Sequence, residues 1–143
     1  MSGKKFEDLY SHDTQLRVRY GETDQMGYLY YGRYAEYFEV GRVETIRSLG
    51  MTYKELEDNH GIWLPVVSMD MRFVRPAYYD DLITIHTEIR KLPDAYVTFH
   101  CELFNEKRKL INAGTVRLCF FKASEKKVVQ APDLLLEKLQ PYF

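Results

Sequence analysis

Apolar residues recur at two different spacings along the chain, and the change between them separates strands from helices. Residues 14–20 (TQLRVRY) alternate between apolar and polar side chains, which predicts a strand with one buried face. From about Tyr30 to Leu49 the apolar positions recur every three or four residues instead, which predicts a helix roughly 30 Å long. Gly50 is placed to end this helix, because glycine readily adopts the left-handed conformation found there.

The rest of the chain is dominated by strand patterns. A short helix comes first, over residues 52–60, with Thr52 as N-cap and Glu55 completing a capping box. Four segments with strand character follow it: 67–73, 83–89, 97–103 and 110–121. The last of them is apolar on both faces, so we predict that it lies in the centre of the sheet. Residues 133–139 form a short amphipathic segment that suits a terminal helix.

The order of these elements predicts the fold class. Short connections between the four strands favour antiparallel pairing, and one long helix has to bury its apolar face against the sheet. The prediction is therefore an α+β fold, with an antiparallel sheet of about five strands wrapped around one long central helix. Because 143 residues are the usual size of one domain, we expect a single domain over residues 1–143, with residues 1–12 as a loose N-terminal segment.

Composition and charge exclude several classes of function. The formal net charge of −1 is spread over mixed acidic and basic residues, unlike the basic surface that general nucleic-acid binding requires. No apolar run is long enough to span a bilayer, and the first residues lack the apolar core of a signal peptide. Cys101 and Cys119 both lie in strand patterns, which favours buried free thiols over a disulfide. These features predict a cytoplasmic protein.

Common catalytic motifs are missing from the sequence, and one carboxylate has an unusual setting. The chain has no G-x-S-x-G elbow and no glycine-rich nucleotide loop, and its four histidines lack metal-ligand spacing. Asp24 lies between a strand and the long helix, in a loop with Gly21, Gly27 and several tyrosines. Such a carboxylate can act as nucleophile or general base, beside helix N–H groups that polarise a carbonyl. The residues alone leave open whether Asp24 reacts or only caps a turn.

Two further charges lie on the predicted long helix. Arg42 projects within its apolar face, and Glu39 precedes it by three residues, a spacing that suits a salt bridge. A buried or interfacial ion pair and a direct role of Glu39 in a reaction are both open at this point.

The segment from Tyr20 to Glu44 resembles the N-terminal signature of the 4-hydroxybenzoyl-CoA thioesterase family, with the Tol-Pal-associated acyl-CoA thioesterases as the most similar branch. The matching positions are Glu22, Thr23, Asp24, Gly27, Tyr30, Tyr31, Tyr34, Phe38, Glu39, Arg42 and Glu44. A second block, residues 73–81 (FVRPAYYDD), is similar to the family's strand ending in a P-A-x-x-D-D turn. The resemblance covers residues 14 to 122 and implies the hotdog fold, which agrees with the order of elements predicted above.

The resemblance also implies roles for individual residues. Asp24 aligns with the carboxylate that attacks a thioester carbonyl or activates water, and the backbone N–H of Tyr31 aligns with the donor that polarises this carbonyl. Gly27 aligns with a position where the chain approaches the acyl group closely. The arginine pair that binds CoA phosphates would fall near residues 93–94, which are proline and aspartate here. The substrate-binding candidates are Tyr30, Arg90 and Lys91.

The implied function is an acyl-CoA thioesterase that produces a free carboxylic acid and CoA without a metal or redox cofactor. Its implied partners are the acyl-CoA substrate and further copies of the chain, in a homodimer or homotetramer with the active site at a subunit interface. One alternative is a non-catalytic hotdog module that binds acyl-CoA or acyl carrier protein. Another is a dehydratase of the same fold, which would need a histidine in the site. The acyl group itself stays open.

Overall fold

The computed structural model describes residues 8–143, which contain seven strands and three α-helices. In chain order they are β1 (Tyr10–Arg17), α1 (Tyr34–Ser48), α2 (Tyr53–His60), β2 (Ile62–Trp63), β3 (Val66–Phe73), β4 (Leu82–Ile89), β5 (Tyr96–Phe104), β6 (Leu110–Lys122), β7 (Lys127–Val129) and α3 (Asp133–Leu139). Short 3-10 turns occur at Tyr20–Glu22, Tyr31–Arg33 and Gln140–Tyr142.

The strands form one antiparallel sheet around β6. The order across the sheet is β1, β4, β5, β6, and β3 pairs with β6 along its other edge. The short strands β2 and β7 pair with the C-terminal end of β6. The predicted antiparallel pairing and the central position of the last long strand are therefore confirmed.

Helix α1 lies across the concave side of the sheet, mainly over β1, β4 and β5. The contact is close at Gly41, where a Cβ atom would lie 2.6 Å from Ile85 Cγ2 and 2.6 Å from Thr87 Oγ1. Phe38 and Phe99 are fully buried between the helix and the sheet. The predicted arrangement of an antiparallel sheet wrapped around one long helix is confirmed. No helix among the described residues is long and apolar enough to cross a membrane.

The largest differences from the predicted boundaries lie in the first part of the chain. Strand β1 runs from Tyr10 to Arg17 instead of over residues 14–20, because residues 10–13 pair with residues 86–89 of β4 and the Tyr10 hydroxyl hydrogen-bonds to Ser48 Oγ (2.6 Å). The prediction of a loose segment over residues 1–12 is therefore wrong for residues 10–12, and residues 1–7 lie outside the described part. The long helix starts later than predicted, since a 3-10 turn over Tyr31–Arg33 precedes α1.

Other local predictions hold. Thr52 caps α2 by accepting a hydrogen bond from the Glu55 backbone N–H at 3.0 Å. Gly50 follows α1 with a φ of 91°, the left-handed conformation that favours glycine. Cys101 and Cys119 are buried free thiols.

Strand β3 departs most from its predicted environment. The alternation over residues 67–73 predicts one buried face, yet Val67 is 49% exposed and Phe73 is 52% exposed. The reason is its place at the edge of the sheet, where it pairs only with β6 and where α1 covers other strands. Residues 8–143 leave this apolar edge strand uncovered, and such an edge is suited to pairing with another strand.

Candidate active site

The loop between β1 and α1 is held at its beginning by Glu22. This buried carboxylate accepts hydrogen bonds from the Arg19 backbone N–H (2.9 Å), from Arg19 Nη2 (3.0 Å) and from the Tyr37 hydroxyl (2.8 Å). Burial by itself would raise the pKa of Glu22, but the Arg19 and Tyr37 hydrogen bonds outweigh it and lower the pKa. Glu22 therefore closes the first turn of the loop through Arg19 and joins the loop to α1 through Tyr37, as a fully partnered, charged group.

Asp24 lies two residues later and is held differently. Its Oδ1 accepts hydrogen bonds from the backbone N–H groups of Met26 (2.9 Å) and Tyr28 (3.1 Å), and its carbonyl accepts one from Gly27 N–H (3.0 Å). Gly27 closes this turn with a φ of 82°, a conformation that L side chains rarely adopt. All the hydrogen bonds of the carboxylate go to Oδ1, so Oδ2 has no partner among residues 8–143.

The start of the helix lies next to this turn. Leu29 N–H bonds to the Ala77 carbonyl (2.7 Å) and Tyr30 N–H bonds to the Glu22 carbonyl (2.9 Å), which fixes the chain just before the 3-10 turn. Within the described residues, the backbone N–H of Tyr31 has no backbone acceptor, as expected for the first position of a helical segment. A free N–H at the positive end of a helix is suited to bind a carbonyl oxygen or an oxyanion.

Asp24 and Tyr31 line the same pocket, which has a volume of about 320 Å³. Its walls are mainly apolar and include a cluster of aromatic rings, in which Phe73 packs edge-on against Tyr34 (5.2 Å between centroids) and Tyr31 (6.5 Å). The lining residues are Asp24, Met26, Tyr28, Leu29, Tyr31, Tyr34, Phe73, Val74, Arg75 and Pro76. Asp24 is the carboxylate of this lining, and no histidine from the described part of the chain belongs to it.

The other predicted catalytic residues, Gly27 and Glu39, and the predicted substrate-binding residue Tyr30 lie outside the lining. Gly27 shapes the Asp24 turn, and a Cβ atom there would meet nothing within 4 Å, so its conformation rather than a close approach requires glycine. Tyr30 packs on the Tyr31 ring at 4.7 Å. Glu39 is exposed on the outward side of α1, since Phe38 and Arg42 occupy the inward side.

The expected ion pair between Glu39 and Arg42 does not form within the described residues. Arg42 is buried, and its Nε and Nη1 atoms have no hydrogen-bond partner there. The i,i+3 spacing allows such a pair, but Glu39 points to solvent while the guanidinium packs inward.

Arg90 and Lys91 lie in a different cavity, of about 240 Å³, with Tyr96, His100 and Arg117. Arg90 Nε donates to Glu88 Oε1 at 2.8 Å, and the Arg117 guanidinium stacks over the Tyr96 ring at 3.9 Å. Arg117 of this cavity lies on β6, where it pairs with Thr98. Asn112, which pairs with Phe73 of the Asp24 pocket, lies five residues away on the same strand, a separation of roughly 17 Å. Within one chain, the basic cavity and the Asp24 pocket are therefore separate.

The lining residues that were assigned no role from the sequence include Tyr34, Phe73 and Arg75. Tyr34 looked like an ordinary member of the apolar helix face, and it is indeed only 3% exposed. Phe73 and Arg75 belong to the FVRPAYYDD block, whose resemblance to the family was the available signal. Arg75 is oriented by a hydrogen bond from its Nη1 to the Leu110 carbonyl (2.8 Å).

Residues 26–112 match the thioesterase superfamily. The chain belongs to this superfamily. YneP of Bacillus subtilis is 32% identical over 115 residues, covering 80% of this chain and 83% of that protein. The acyl-CoA thioesterase YbgC of Haemophilus influenzae is 29% identical over 117 residues, covering 82% and 85%. The predicted family and the expectation of a thioester hydrolase are thereby confirmed.

Solved structures of thioesterases have the same fold. A DHNA-CoA thioesterase from Staphylococcus aureus is 31% identical, with a TM-score of 0.83 over 92% of this chain and 91% of that chain. A 4-hydroxybenzoyl CoA thioesterase mutant bound to 4-hydroxybenzoyl CoA is 20% identical, with a TM-score of 0.83 over 91% and 99% of the two chains. At that identity the second likeness bears on the fold alone, which is the predicted hotdog fold.

Proposed function

We propose that this thioesterase hydrolyses acyl-CoA to a free carboxylic acid and CoA, with Asp24 as the reacting carboxylate. The observation that carries the proposal is the unpartnered Oδ2 of Asp24 in an aromatic pocket shared with Tyr31. The names of the Haemophilus influenzae and Staphylococcus aureus proteins support a CoA thioester as substrate.

In the proposed reaction the thioester carbonyl oxygen faces the free backbone N–H of Tyr31, which stabilises the oxyanion as it forms. Asp24 Oδ2 either attacks the carbonyl carbon or removes a proton from the water that attacks it. The C–S bond then breaks, and the CoA sulfur leaves with the bonding electrons and takes up a proton. If Asp24 is the nucleophile, water hydrolyses the acyl-aspartyl anhydride in a second step. Both routes give the same products.

The pocket belongs, in this proposal, to a homodimer formed through β3. The free edge of β3 can pair with the β3 of a second copy, and this pairing would cover Val67, Met69 and Phe73, which are exposed in one chain. Antiparallel pairing places the Phe73 end of one strand beside the Val66 end of the other. Because Phe73 lines the pocket, its open side then lies against the partner copy.

The same pairing offers a place for the CoA phosphates. The cavity with Arg90 and Lys91 lies near the Val66 end of β3, since Ser68 pairs with Arg117 of that cavity. In the proposed dimer, the cavity of one copy therefore lies at the same end of the joined sheet as the Asp24 pocket of the other. Arginine and lysine are the residues that bind phosphate groups. Glu39 has no part in this mechanism, and the cytoplasmic location stays a prediction.

A thiol-release assay with acetyl-CoA, octanoyl-CoA and benzoyl-CoA tests the reaction. We expect release of CoA from at least one of them, and we expect Asp24→Asn to abolish most of it. Saturable binding of acyl-CoA without thiol release would favour the alternative of a non-catalytic binding module. Turnover that survives in Asp24→Asn would show that another group performs the chemistry.

Light scattering tests the dimer, with Val67→Arg as the variant and Val128→Arg as its matched control. Both valines lie on strands and are similarly exposed, at 49% and 42%, but Val128 is on β7. A charge buried between two β3 strands should dissociate the dimer and lower activity, while Val128→Arg should leave both unchanged. An active monomeric wild-type protein would exclude this assembly.

The phosphate site is tested by comparing acyl-CoA with the same acyl group on pantetheine, which lacks the nucleotide phosphates. Arg90→Ala and Lys91→Ala should raise KM for the CoA thioester only, and the effect should weaken with added salt. Lys107→Ala, an exposed lysine in the turn between β5 and β6, is the control. Equal losses with both substrates would contradict a role in phosphate binding.

A further inference from the structure

Tyr34 combines a polar atom with a nearly complete burial at the pocket. The residue is 3% exposed, it lines the pocket together with Asp24 and Tyr31, and its ring packs on Phe73 at 5.2 Å. The backbone amide of Ala77 lies close enough to the phenolic oxygen to hydrogen-bond to it, and the hydroxyl oxygen is not among the fully buried polar atoms of residues 8–143 that lack a partner. The hydroxyl proton itself can therefore be donated to a group in the pocket, and the substrate can supply the acceptor.

The position of Tyr34 at the first residue of α1 favours a side-chain direction toward the preceding turn. Side chains of helical residues lean toward the N-terminus and cover the preceding turn. For Tyr34, the first residue of α1, the preceding turn is Tyr31–Arg33, which carries the free Tyr31 N–H. Tyr31 and Tyr34 also pack against the same ring, that of Phe73.

The surroundings keep this hydroxyl protonated. Burial raises the pKa of Tyr34, and the Asp24 charge raises it further, while the backbone amide of Ala77 acts in the opposite direction. With the Ala77 amide near the phenolic oxygen, the hydroxyl proton is free to be donated into the pocket. A neutral phenol that keeps its proton is a hydrogen-bond donor for an oxyanion.

We infer that the Tyr34 hydroxyl is a second donor to the thioester oxygen, beside the backbone N–H of Tyr31. As the nucleophile adds to the carbonyl carbon, the carbonyl π electrons move to the oxygen, and both donors stabilise its developing negative charge. When the C–S bond breaks, the carbonyl re-forms and the donors return to their original state. This inference rests on the proposed function and adds a side chain to the catalytic groups.

Tyr37 provides a matched control on the same helix. Its hydroxyl is also buried, but it donates to Glu22 Oε1 at 2.8 Å and lies outside the pocket lining. Tyr34→Phe and Tyr37→Phe each remove one buried hydroxyl and keep the ring. The first removes a proposed transition-state contact, and the second removes a contact within the protein.

The test compares both variants with the wild-type protein on whichever of acetyl-CoA, octanoyl-CoA and benzoyl-CoA is hydrolysed fastest. We expect Tyr34→Phe to lower kcat roughly 100-fold with little change in KM, as for loss of one oxyanion donor. We expect Tyr37→Phe to keep kcat within about three-fold. Replacing Tyr34 by 3-fluorotyrosine, which retains the hydroxyl, should restore most of the lost kcat.

An infrared measurement separates a hydrogen bond from a packing effect. With Asp24→Asn used to slow hydrolysis, the carbonyl stretch of the bound thioester should shift to lower frequency than in solution, and adding Tyr34→Phe should reduce this shift. Normal kcat in Tyr34→Phe, or a lower kcat with an unchanged carbonyl stretch, would overturn the inference. Should the wild-type protein release no CoA from any of the three substrates, the proposed function itself fails, which is a distinct result.

Discussion

Two carboxylates in the loop between β1 and α1, Glu22 and Asp24, differ in how many of their oxygens accept hydrogen bonds. Both oxygens of Glu22 are engaged, by Arg19 and Tyr37, and the residue is 5% exposed. Asp24 uses only Oδ1, for two backbone N–H groups, and leaves Oδ2 free at the pocket. Two acids separated by one threonine thus differ in what remains available for chemistry.

This difference shows how a protein can make one acid structural and leave an oxygen of its neighbour available for chemistry. Both oxygens of Glu22 already accept hydrogen bonds that fix the loop, so neither is available to bind or react with a substrate. The Asp24 carboxylate is oriented by hydrogen bonds to Oδ1 alone. A nucleophile or general base needs such a fixed orientation together with one oxygen that accepts no hydrogen bond. We therefore expect substitutions at the two positions to affect different measurements.

The largest effect is expected for Asp24→Asn. The amide oxygen of asparagine can still accept the Met26 and Tyr28 N–H bonds, so the turn should keep its shape. The free oxygen loses its charge and its basicity, and kcat should fall by roughly 1,000-fold. Thiol-release kinetics and thermal melting check this expectation. A melting temperature that drops together with kcat would mean that Asp24 is structural.

A reciprocal result is expected for Glu22→Gln. The substitution removes the charge that accepts hydrogen bonds from Arg19 and Tyr37, so the free energy of unfolding should fall by about 2 kcal/mol. The Asp24 turn retains its own hydrogen bonds, so kcat of the folded protein should change by less than about three-fold. Urea unfolding and thiol-release kinetics measure the two quantities. A large loss of kcat at unchanged stability would remove the distinction between the acids.

The smallest effect is expected in the pH dependence of the difference in unfolding free energy between the wild-type protein and Glu22→Gln. The folded-state pKa of Glu22 is lowered, so its contribution is complete above its ordinary pKa of about 4.5 and is lost as the pH falls through the lower folded value. Glutamine does not titrate. The unfolding free energies of the wild-type protein and Glu22→Gln should therefore differ at pH 7 and converge below about pH 4.5. A difference that stayed constant down to pH 3 would contradict a charged Glu22.

The fold was predictable because its signals are local and agree with one another. Alternation identified β1, β3, β4 and β5, a run that is apolar on both faces identified β6, and the N-cap at Thr52 was correct to the residue. The burial of β3 was wrong for a reason outside the local pattern. Alternation indicates that a face is apolar, not that the same chain covers it, and residues 8–143 leave β3 largely exposed.

The site was less predictable. Asp24 and Tyr31 could be singled out because they lie in one continuous segment that resembles a known family. Phe73 and Arg75 reach the pocket through long-range contacts, the pairing of β3 with β6 and the hydrogen bond from Leu29 N–H to the Ala77 carbonyl, which sequence spacing does not reveal. The place of Tyr34 in the pocket could not be predicted, because the sequence pattern of a tyrosine on an apolar helix face is the same for a core residue and for a buried pocket residue.

The burial of both cysteines has a practical consequence for the thiol-release assay. Burial raises the pKa of the Cys101 thiol to about 12, and Cys119 is only 7% exposed. Thiol reagents react with the thiolate, so the folded chain should consume little of a chromogenic disulfide such as Ellman's reagent. The colour then reports liberated CoA with a low background from the catalyst. Denaturation uncovers both sulfurs, so the same reagent, without substrate, counts unfolded molecules.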